Sequence, residues 1–132
     1  MKHITTIAII DDDDIFVLLT KKVIESANIA DKVKIFENGQ DAIDFFKENS
    51  TKPNLLPEIA LLDLSMPIMD GWQFLEEYTL LKPKIEKKTV IYIVTSSISP
   101  EDIKKAKSIE IVSDYFIKPV TKEQLIEIVK KL

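Results

Sequence analysis

This chain alternates short apolar runs with amphipathic segments. Two of the runs, Ile59–Leu62 and residues 90–94, are apolar or aromatic at every position, which is typical of strands covered on both faces. Segments with apolar residues at helical spacing lie between the runs. Strands that alternate with helices form parallel βαβ units with right-handed crossovers. The sequence therefore predicts a doubly wound α/β domain.

Five strands and five helices are predicted in alternation. The strands are expected at residues 6–10, around 33–35, at Ile59–Leu62, at 90–94 and at Val112–Ile117. The helices are expected at Asp14–Ala27, around 42–46, at 71–78, from residue 100 and from residue 122. Two capping patterns support the last two helix starts, because Ser99 precedes Pro100 and Thr121 precedes Gln124 by three positions.

The composition narrows the classes of function. The chain has 132 residues, 45% of them hydrophobic, which suits one domain spanning residues 1–132. Its net charge of −4 argues against nucleic-acid binding, which needs a basic face. With no cysteine and one histidine, His3, the chain offers no thiolate or histidine-based metal site. No apolar run approaches the ~20 residues that span a bilayer, and no signal peptide is recognisable, so we expect a cytoplasmic protein without membrane insertion.

Polar side chains follow four of the five predicted strands. Residues 11–14 are four aspartates after the first strand, Asp63 follows the third, Thr95 the fourth and Lys118 the fifth. The carboxyl ends of parallel strands meet at one edge of the sheet, where ligands bind. Clustered carboxylates repel each other, and a hard cation such as Mg²⁺ or Mn²⁺ would relieve the conflict.

This combination suits phosphoryl chemistry. Asp63 is predicted to be a carboxylate nucleophile, and Asp11 and Asp12 are predicted to hold the metal. Lys118 and the Thr95 hydroxyl are expected to pair with phosphoryl oxygens. Each feature alone has a simpler reading, since aspartate runs often begin helices and Lys-Pro often forms a turn. The joint placement after four strands favours one shared site.

The sequence resembles the receiver domain of two-component response regulators of the single-domain, chemotaxis type. The matching stretches are residues 9–13 (IIDDD), 62–71 (LDLSMPIMDG), 94–96 (VTS) and 115–119 (YFIKP). The resemblance implies a flavodoxin-like fold with strand order 2-1-3-4-5. It also implies that Asp63 is the phosphorylated residue and that the magnesium ligands are Asp11, Asp12, Asp63 and the backbone carbonyl of Ser65.

The resemblance further implies a switch. Thr95 and Tyr115 correspond to the switch hydroxyl and switch aromatic, and Lys118 to the phosphate-pairing lysine, with a cis bond to Pro119. The expected function is a phosphoaspartate switch that accepts a phosphoryl group from a sensor histidine kinase or a histidine phosphotransfer protein and then changes its contact with a downstream protein target. Such a protein is a regulatory phosphoacceptor rather than an enzyme, although it assists its own phosphorylation and dephosphorylation.

The first helix carries a further hypothesis about partners. If its core stripe is Phe16, Leu19, Val23 and Ala27, then Ile15 and Leu18 lie towards solvent near the acidic residues. This exposed pair is a candidate docking surface for the phosphodonor, although isolated exposed aliphatic residues are common. Asp13 and Asp14 are expected to cap this helix and to interact with its dipole.

Other functions fit less well. A phosphorelay intermediate that passes the phosphoryl group to a histidine phosphotransfer protein stays open. A phosphatase of the haloacid-dehalogenase type usually needs a second aspartate two residues after the nucleophile, where this chain has Ser65. A flavin-binding module would need a glycine-rich loop after the first strand, and an unphosphorylated scaffold would not need the acceptor residues.

Overall fold

In the computed structural model, which describes residues 4–132, the chain forms one five-stranded parallel sheet with helices on both faces. The strands are β1 (Ile4–Ile10), β2 (Ala30–Phe36), β3 (Ile59–Leu62), β4 (Val90–Thr95) and β5 (Val112–Ile117). They lie in the order β2-β1-β3-β4-β5, so the predicted doubly wound topology is confirmed. His3 lies outside the described residues.

Five α-helices connect and follow the strands. They are α1 (Asp14–Ala27), α2 (Gly39–Glu48), α3 (Gly71–Leu81), α4 (Pro100–Ser108) and α5 (Lys122–Lys130). The predicted caps are confirmed, since the Ser99 hydroxyl accepts from the Asp102 amide and Thr121 forms a capping box with Gln124. The predicted loop at residues 51–57 contains a short 3-10 turn, and Pro83 lies in a second one that follows α3.

Two apolar layers hold the helices against the sheet. The side chains of β1 and β3 alternate between the layers, which is why these two central strands are buried along their length from Thr6 and Ile59 onwards. One layer lies under α2 and α3 and includes Phe46, Phe74 and Tyr78. The other lies under α1 and α5 and includes Ile24. The two-sided coverage leaves the strand ends as the place where polar groups gather.

Of the predicted core stripe of α1, only Phe16 is buried, since Leu19 is exposed and Val23 and Ala27 are partly buried. Leu19 is 56% exposed, whereas Val17, Thr20 and Ile24 are buried beside Phe16. The predicted stripe, which contains Leu19, and the observed stripe, which contains Thr20, both have helical spacing. Periodicity therefore favoured the stripe with the apolar leucine. The rotation of α1 is set by its contacts with the sheet and α5, which the helix's own sequence does not encode.

Within the part of the chain that the structure describes, no helix is both long and apolar enough to cross a bilayer.

Candidate functional site

The carboxyl edge of the sheet brings three aspartates together. Asp11 and Asp63 are held by the extended ladder, because the Asp11 amide donates to Phe36 O at 2.9 Å and the Asp63 amide donates to Ile10 O at 3.0 Å. Both side chains are buried, at 2% and 6% exposure, and Asp12 is exposed beside them. One carboxylate oxygen from each of Asp11, Asp12 and Asp63 lies within 4.8 Å of the others.

Lys118 reaches into this cluster from the end of β5. Its backbone amide donates to Thr95 O at 2.8 Å, which places it beside the end of β4. Its Nζ lies 2.9 Å from Asp11 Oδ2 and 3.6 Å from Asp63 Oδ2. The same ammonium is 3.7 Å from Asp13 Oδ2 and sits over the Phe16 ring, 4.5 Å from its centroid. The aromatic ring and the carboxylates together fix where this charge lies.

The buried charges are not balanced. Burial raises the pKa of Asp11 to about 6, and the nearby charge of Asp63 adds to the effect, while the Asp13 amide and Lys118 act against it. Burial alone would lower the pKa of Lys118, but its carboxylate neighbours, led by Asp11, outweigh that and raise it. The lysine therefore stays charged, and the acids around it outnumber it.

The donor set fits a hard divalent cation. Asp11 Oδ2 is buried and lies 2.9 Å from Lys118 Nζ, and the same ammonium also faces Asp13 and Asp63, so one positive charge is shared among three carboxylates. Three carboxylates without histidine or cysteine are the oxygen ligands that Mg²⁺ prefers. Ser65, whose carbonyl the resemblance adds to the set, follows two residues after Asp63 and is exposed.

One close contact that requires glycine and two backbone hydrogen bonds hold Asp63 and Leu64 in place. A Cβ on Gly71 would lie 2.3 Å from the carbonyl oxygen of Asp63, so only glycine fits there. The Gly71 amide also donates to Leu64 O at 3.0 Å, which closes the loop between β3 and α3. The Leu64 amide donates to Asp63 Oδ1 at 2.8 Å and orients the carboxylate.

Thr95 ends β4, the strand beside β3, and Tyr115 lies on β5, where it pairs in register with Ile93 of β4. Thr95 is buried at 3% exposure, and its hydroxyl accepts from the Ser97 amide at 3.4 Å. The Tyr115 hydroxyl donates to the Ser97 carbonyl at 2.9 Å, so the ring is tied to the segment after Thr95. The Ser97 hydroxyl in turn donates to Asp102 of α4 at 2.7 Å. A continuous set of contacts therefore links the end of β4 to both β5 and α4.

Each predicted site residue in the described chain lies at this edge. Asp11, Asp12, Asp63 and Lys118 meet directly, and the predicted cis bond between Lys118 and Pro119 is present. Asp13 acts as the predicted N-cap, accepting from two amides of the first turn of α1.

Two contacts were not predicted from the sequence. They are the Phe16 ring beneath the Lys118 ammonium and the bond from Ser97 to Asp102. Phe16 was placed in the core stripe by its spacing alone, and nothing local connects it with a lysine more than a hundred residues away. Both contacts join separate elements, so only the folded chain reveals them.

Comparison with known proteins identifies the class. The family model for the response regulator receiver domain matches residues 7–130. The structure resembles a two-component response regulator from Cytophaga hutchinsonii, with a TM-score of 0.88 and 26% identity over 98% of this chain and 97% of that one. A CheY-like receiver domain protein from Methanospirillum hungatei JF-1 matches with a TM-score of 0.74 and 25% identity over 96% and 91% of the two chains.

The chain is also similar to parts of longer proteins. The probable methanogenesis regulatory protein FilR2 of Methanothrix harundinacea (strain 6Ac) is 25% identical over 96% of this chain and 79% of its own length. A protein-glutamate methylesterase/protein-glutamine glutaminase of Treponema pallidum (strain Nichols) is 35% identical over 93% of this chain, which spans 29% of that protein.

This chain belongs to the response regulator receiver domain family and has the fold of two-component signalling proteins. The family is regulatory, and its members are typically phosphorylated by histidine kinases and act on downstream targets. Receiver domains bind Mg²⁺ at a cluster of acidic residues, and the Asp11, Asp12 and Asp63 group is the corresponding cluster here.

Proposed function

We propose that this protein is a phosphoaspartate switch in which Asp63 accepts a phosphoryl group from a phosphohistidine on a partner protein. The observation that carries the proposal is the meeting of three carboxylate oxygens within 4.8 Å, with a lysine ammonium 3.6 Å from Asp63. An excess of buried negative charge destabilises a folded protein. Function therefore explains this arrangement better than stability does. The partner is a sensor histidine kinase or a histidine phosphotransfer protein.

The transfer exchanges one bond to phosphorus for another. An oxygen of the Asp63 carboxylate attacks phosphorus, the new O–P bond forms as the P–N bond breaks, and the leaving imidazole nitrogen keeps the electron pair. The Leu64 amide orients the attacking group through Oδ1. Lys118 offsets charge on the phosphoryl oxygens, and the Thr95 hydroxyl donates to them.

A divalent cation has a defined place in this proposal. Asp11, Asp12, Asp63 and the Ser65 carbonyl would hold Mg²⁺, or Mn²⁺ in its place, and the ion would supply positive charge to the phosphoryl group. The excess of carboxylates over Lys118 supports the assignment, because buried negative charge is stabilised when a further cation accompanies it.

The output is a change of shape on the side of the sheet formed by α4, β5 and α5. Phosphorylation adds charge and strong acceptor oxygens beside Thr95, and a shift of its hydroxyl disturbs the bond that Ser97 accepts from Tyr115. NMR chemical shifts with beryllofluoride and Mg²⁺ test this coupling. Unchanged Tyr115 resonances, with Asp63 shown to carry the analogue, would exclude it.

The exposed face of α1 is proposed to receive the phosphodonor. Ile15 and Leu18 are 72% and 53% exposed as predicted, and Leu19 extends the same patch. The patch begins one residue after the aspartates, so a partner that covers it also covers the acceptor. Ile15→Ala is expected to slow transfer from the partner and to leave labelling by acetyl phosphate intact.

Phosphorylation by a small donor tests the central proposal. Wild type, Asp63→Asn and the control Asp44→Asn, an exposed aspartate of α2, are incubated with phosphoramidate and Mg²⁺ and followed by intact-protein mass spectrometry. We expect one phosphoryl adduct on wild type and on the control, and none on Asp63→Asn. An adduct that persists without Asp63, or that never forms on wild type, refutes the proposal.

A further inference from the structure

The loop between β3 and α3 contains a strained residue at its apex. Ile68 has φ = 68°, and the Met69 amide donates to Pro67 O at 2.7 Å. A hydrogen bond across three residues with positive φ at the centre is the γ-turn that is rare and strained in proteins. A β-branched residue is the least suited to this conformation, which glycine and asparagine tolerate better.

Neighbouring contacts hold the loop in this shape. The Gly39 amide donates to Met69 O at 2.9 Å, and a Cβ on Gly39 would lie 2.8 Å from that oxygen. On the C-terminal side, Asp70 forms a capping box with Gln73 at the start of α3. The turn is therefore fixed on both sides of Ile68, which is how a folded protein keeps a strained residue in place.

Folding buries little of the Ile68 side chain. It is 80% exposed, the most exposed of the large hydrophobic residues in the described chain. An exposed isoleucine in a helix or strand is ordinary, and Leu80 of α3 is one at 73% exposure without backbone strain. Ile68, by contrast, combines a strained backbone with a side chain that packs little against the rest of the protein. This combination points to a contact with another molecule.

Ile68 also forms one wall of a shallow groove against α3. The groove is lined by Ile68, Met69, Gln73, Glu76 and Glu77, so an aliphatic wall faces two carboxylates. A complementary surface would place an apolar side chain against Ile68 and a lysine or arginine near the glutamates. The loop that carries Ile68 begins directly after Asp63, so a protein that reaches Asp63 from the α3 side would meet this loop.

We infer that Ile68 and the groove beside it form a docking contact for the phosphohistidine-bearing partner, on the α3 side of the acceptor, where an apolar side chain flanked by a basic one is received. The inference rests on the proposed function, since it needs a protein phosphodonor. The γ-turn presents Ile68 in a fixed position, so that little conformational entropy is lost when the partner binds.

Kinase-to-receiver transfer tests the inference. The purified histidine kinases of the host genome are autophosphorylated with [γ-³²P]ATP, and initial transfer rates are measured for wild type, Ile68→Asn, Ile68→Leu and Leu80→Asn. With the kinase that is fastest on wild type, we expect Ile68→Asn to be at least about tenfold slower, as burial of one aliphatic side chain implies. Ile68→Leu and the control Leu80→Asn should stay within about twofold.

Charge reversal and stability supply independent readouts. Glu76→Lys with Glu77→Lys should slow the same transfer, and less so at high salt, because the attraction is screened. Ile68→Asn should raise Tm by a few degrees, since it relieves the strain. An Ile68→Asn variant that transfers at the wild-type rate, or that is no more stable than wild type, overturns the inference.

Phosphoramidate labelling separates this inference from the proposed function. If wild type is not labelled at Asp63, the proposed function fails and the inference fails with it. If Asp63 is labelled but no kinase, nor any histidine phosphotransfer protein phosphorylated by one, transfers to wild type, the partner contact is refuted while the acceptor chemistry stands. If both work and Ile68→Asn is slow only with the kinase, the docking role is supported.

Discussion

Each end of the sheet has a lysine paired with carboxylate groups, but the ratio of acids to bases differs between the two ends. At the amino end, Lys87 pairs with Glu58 at 3.1 Å. At the carboxyl end, Lys118 faces Asp11, Asp13 and Asp63. The first group is balanced, one acid to one base, and the second is not.

The Glu58 and Lys87 pair at the amino end uses all of its charged groups in hydrogen bonds. The Glu58 carboxylate accepts from the Thr6 amide at 3.0 Å and from the Thr5 amide at 3.4 Å, in addition to Lys87. Lys87 also donates to the carbonyls of Pro53 and Leu56. Burial, the largest single effect, raises the pKa of Glu58, but these donors together lower it below its ordinary value.

The carboxyl end shows the opposite balance. There burial dominates, the pKa of Asp11 rises to about 6, and one lysine is shared among three carboxylates. Buried charges that are matched by opposite charges and hydrogen bonds, as at Glu58, stabilise this protein. Buried charges in excess, as around Lys118, suit a functional site. Groups left in conflict by the fold are the ones able to respond to a cation or a phosphoryl group.

The largest expected effect separates the two lysines. Lys118→Met should slow phosphoramidate labelling of Asp63 about 100-fold, because it removes a positive group aimed at the phosphoryl oxygens. Lys87→Met, at the other end of the sheet, should leave the labelling rate unchanged. The rates are read by intact-protein mass spectrometry at saturating Mg²⁺. Equal slowing by both substitutions would mean that loss of stability, and not local charge, controls labelling.

Neutralising one acid at each end should change stability in opposite directions. Glu58→Gln is expected to lower the free energy of unfolding by about 2 kcal/mol, since charge-assisted hydrogen bonds are weakened. Asp11→Asn, without metal, is expected to raise it by about 1 kcal/mol, after allowance for solvent screening, because one of the carboxylates in excess over Lys118 is removed. Urea denaturation at pH 7 measures both. The same sign for the two variants would contradict the comparison.

Magnesium should stabilise the folded protein by binding at the carboxyl end of the sheet. For a cation present at about ten times its Kd, the gain in the free energy of unfolding is about 1.4 kcal/mol. We expect this gain in wild type and in Glu58→Gln, and its loss in Asp12→Asn. Thermal unfolding with Mg²⁺ and with EDTA provides the measurement. A gain that survives in Asp12→Asn would place the ion elsewhere.

The smallest expected effect is the pH dependence of the amino end. Because folding lowers the pKa of Glu58 from its ordinary 4.5, its stabilising effect is complete above that pH and is lost as the pH falls through the lower value. The stability difference between wild type and Glu58→Gln should therefore be constant near neutrality and shrink in acid. Denaturation with EDTA at a series of pH values tests this. A difference that grows in acid has the wrong sign.

Much of the fold was predictable from local pattern. The buried strands β3 and β4 could be read from their apolar runs, and the starts of α4 and α5 from Ser99 and Thr121, because periodicity and capping depend on residues close in the chain. The core face of α1 was not predictable in full. Leu19, which was predicted to face the core, is exposed and its neighbour Thr20 is buried, since neighbours in space decide which of two helical stripes is buried.

The sequence by itself determined which chemical groups stand at the strand ends, because strand, turn and helix signals are local and the carboxyl ends of parallel strands share one edge. Only the tertiary structure decided how those groups balance. The excess of acid around Lys118, the ring of Phe16 beneath it and the strained exposure of Ile68 depend on segments distant in the chain. Burial and electrostatic interaction are properties of the space around a group, and that space exists only once the chain has folded.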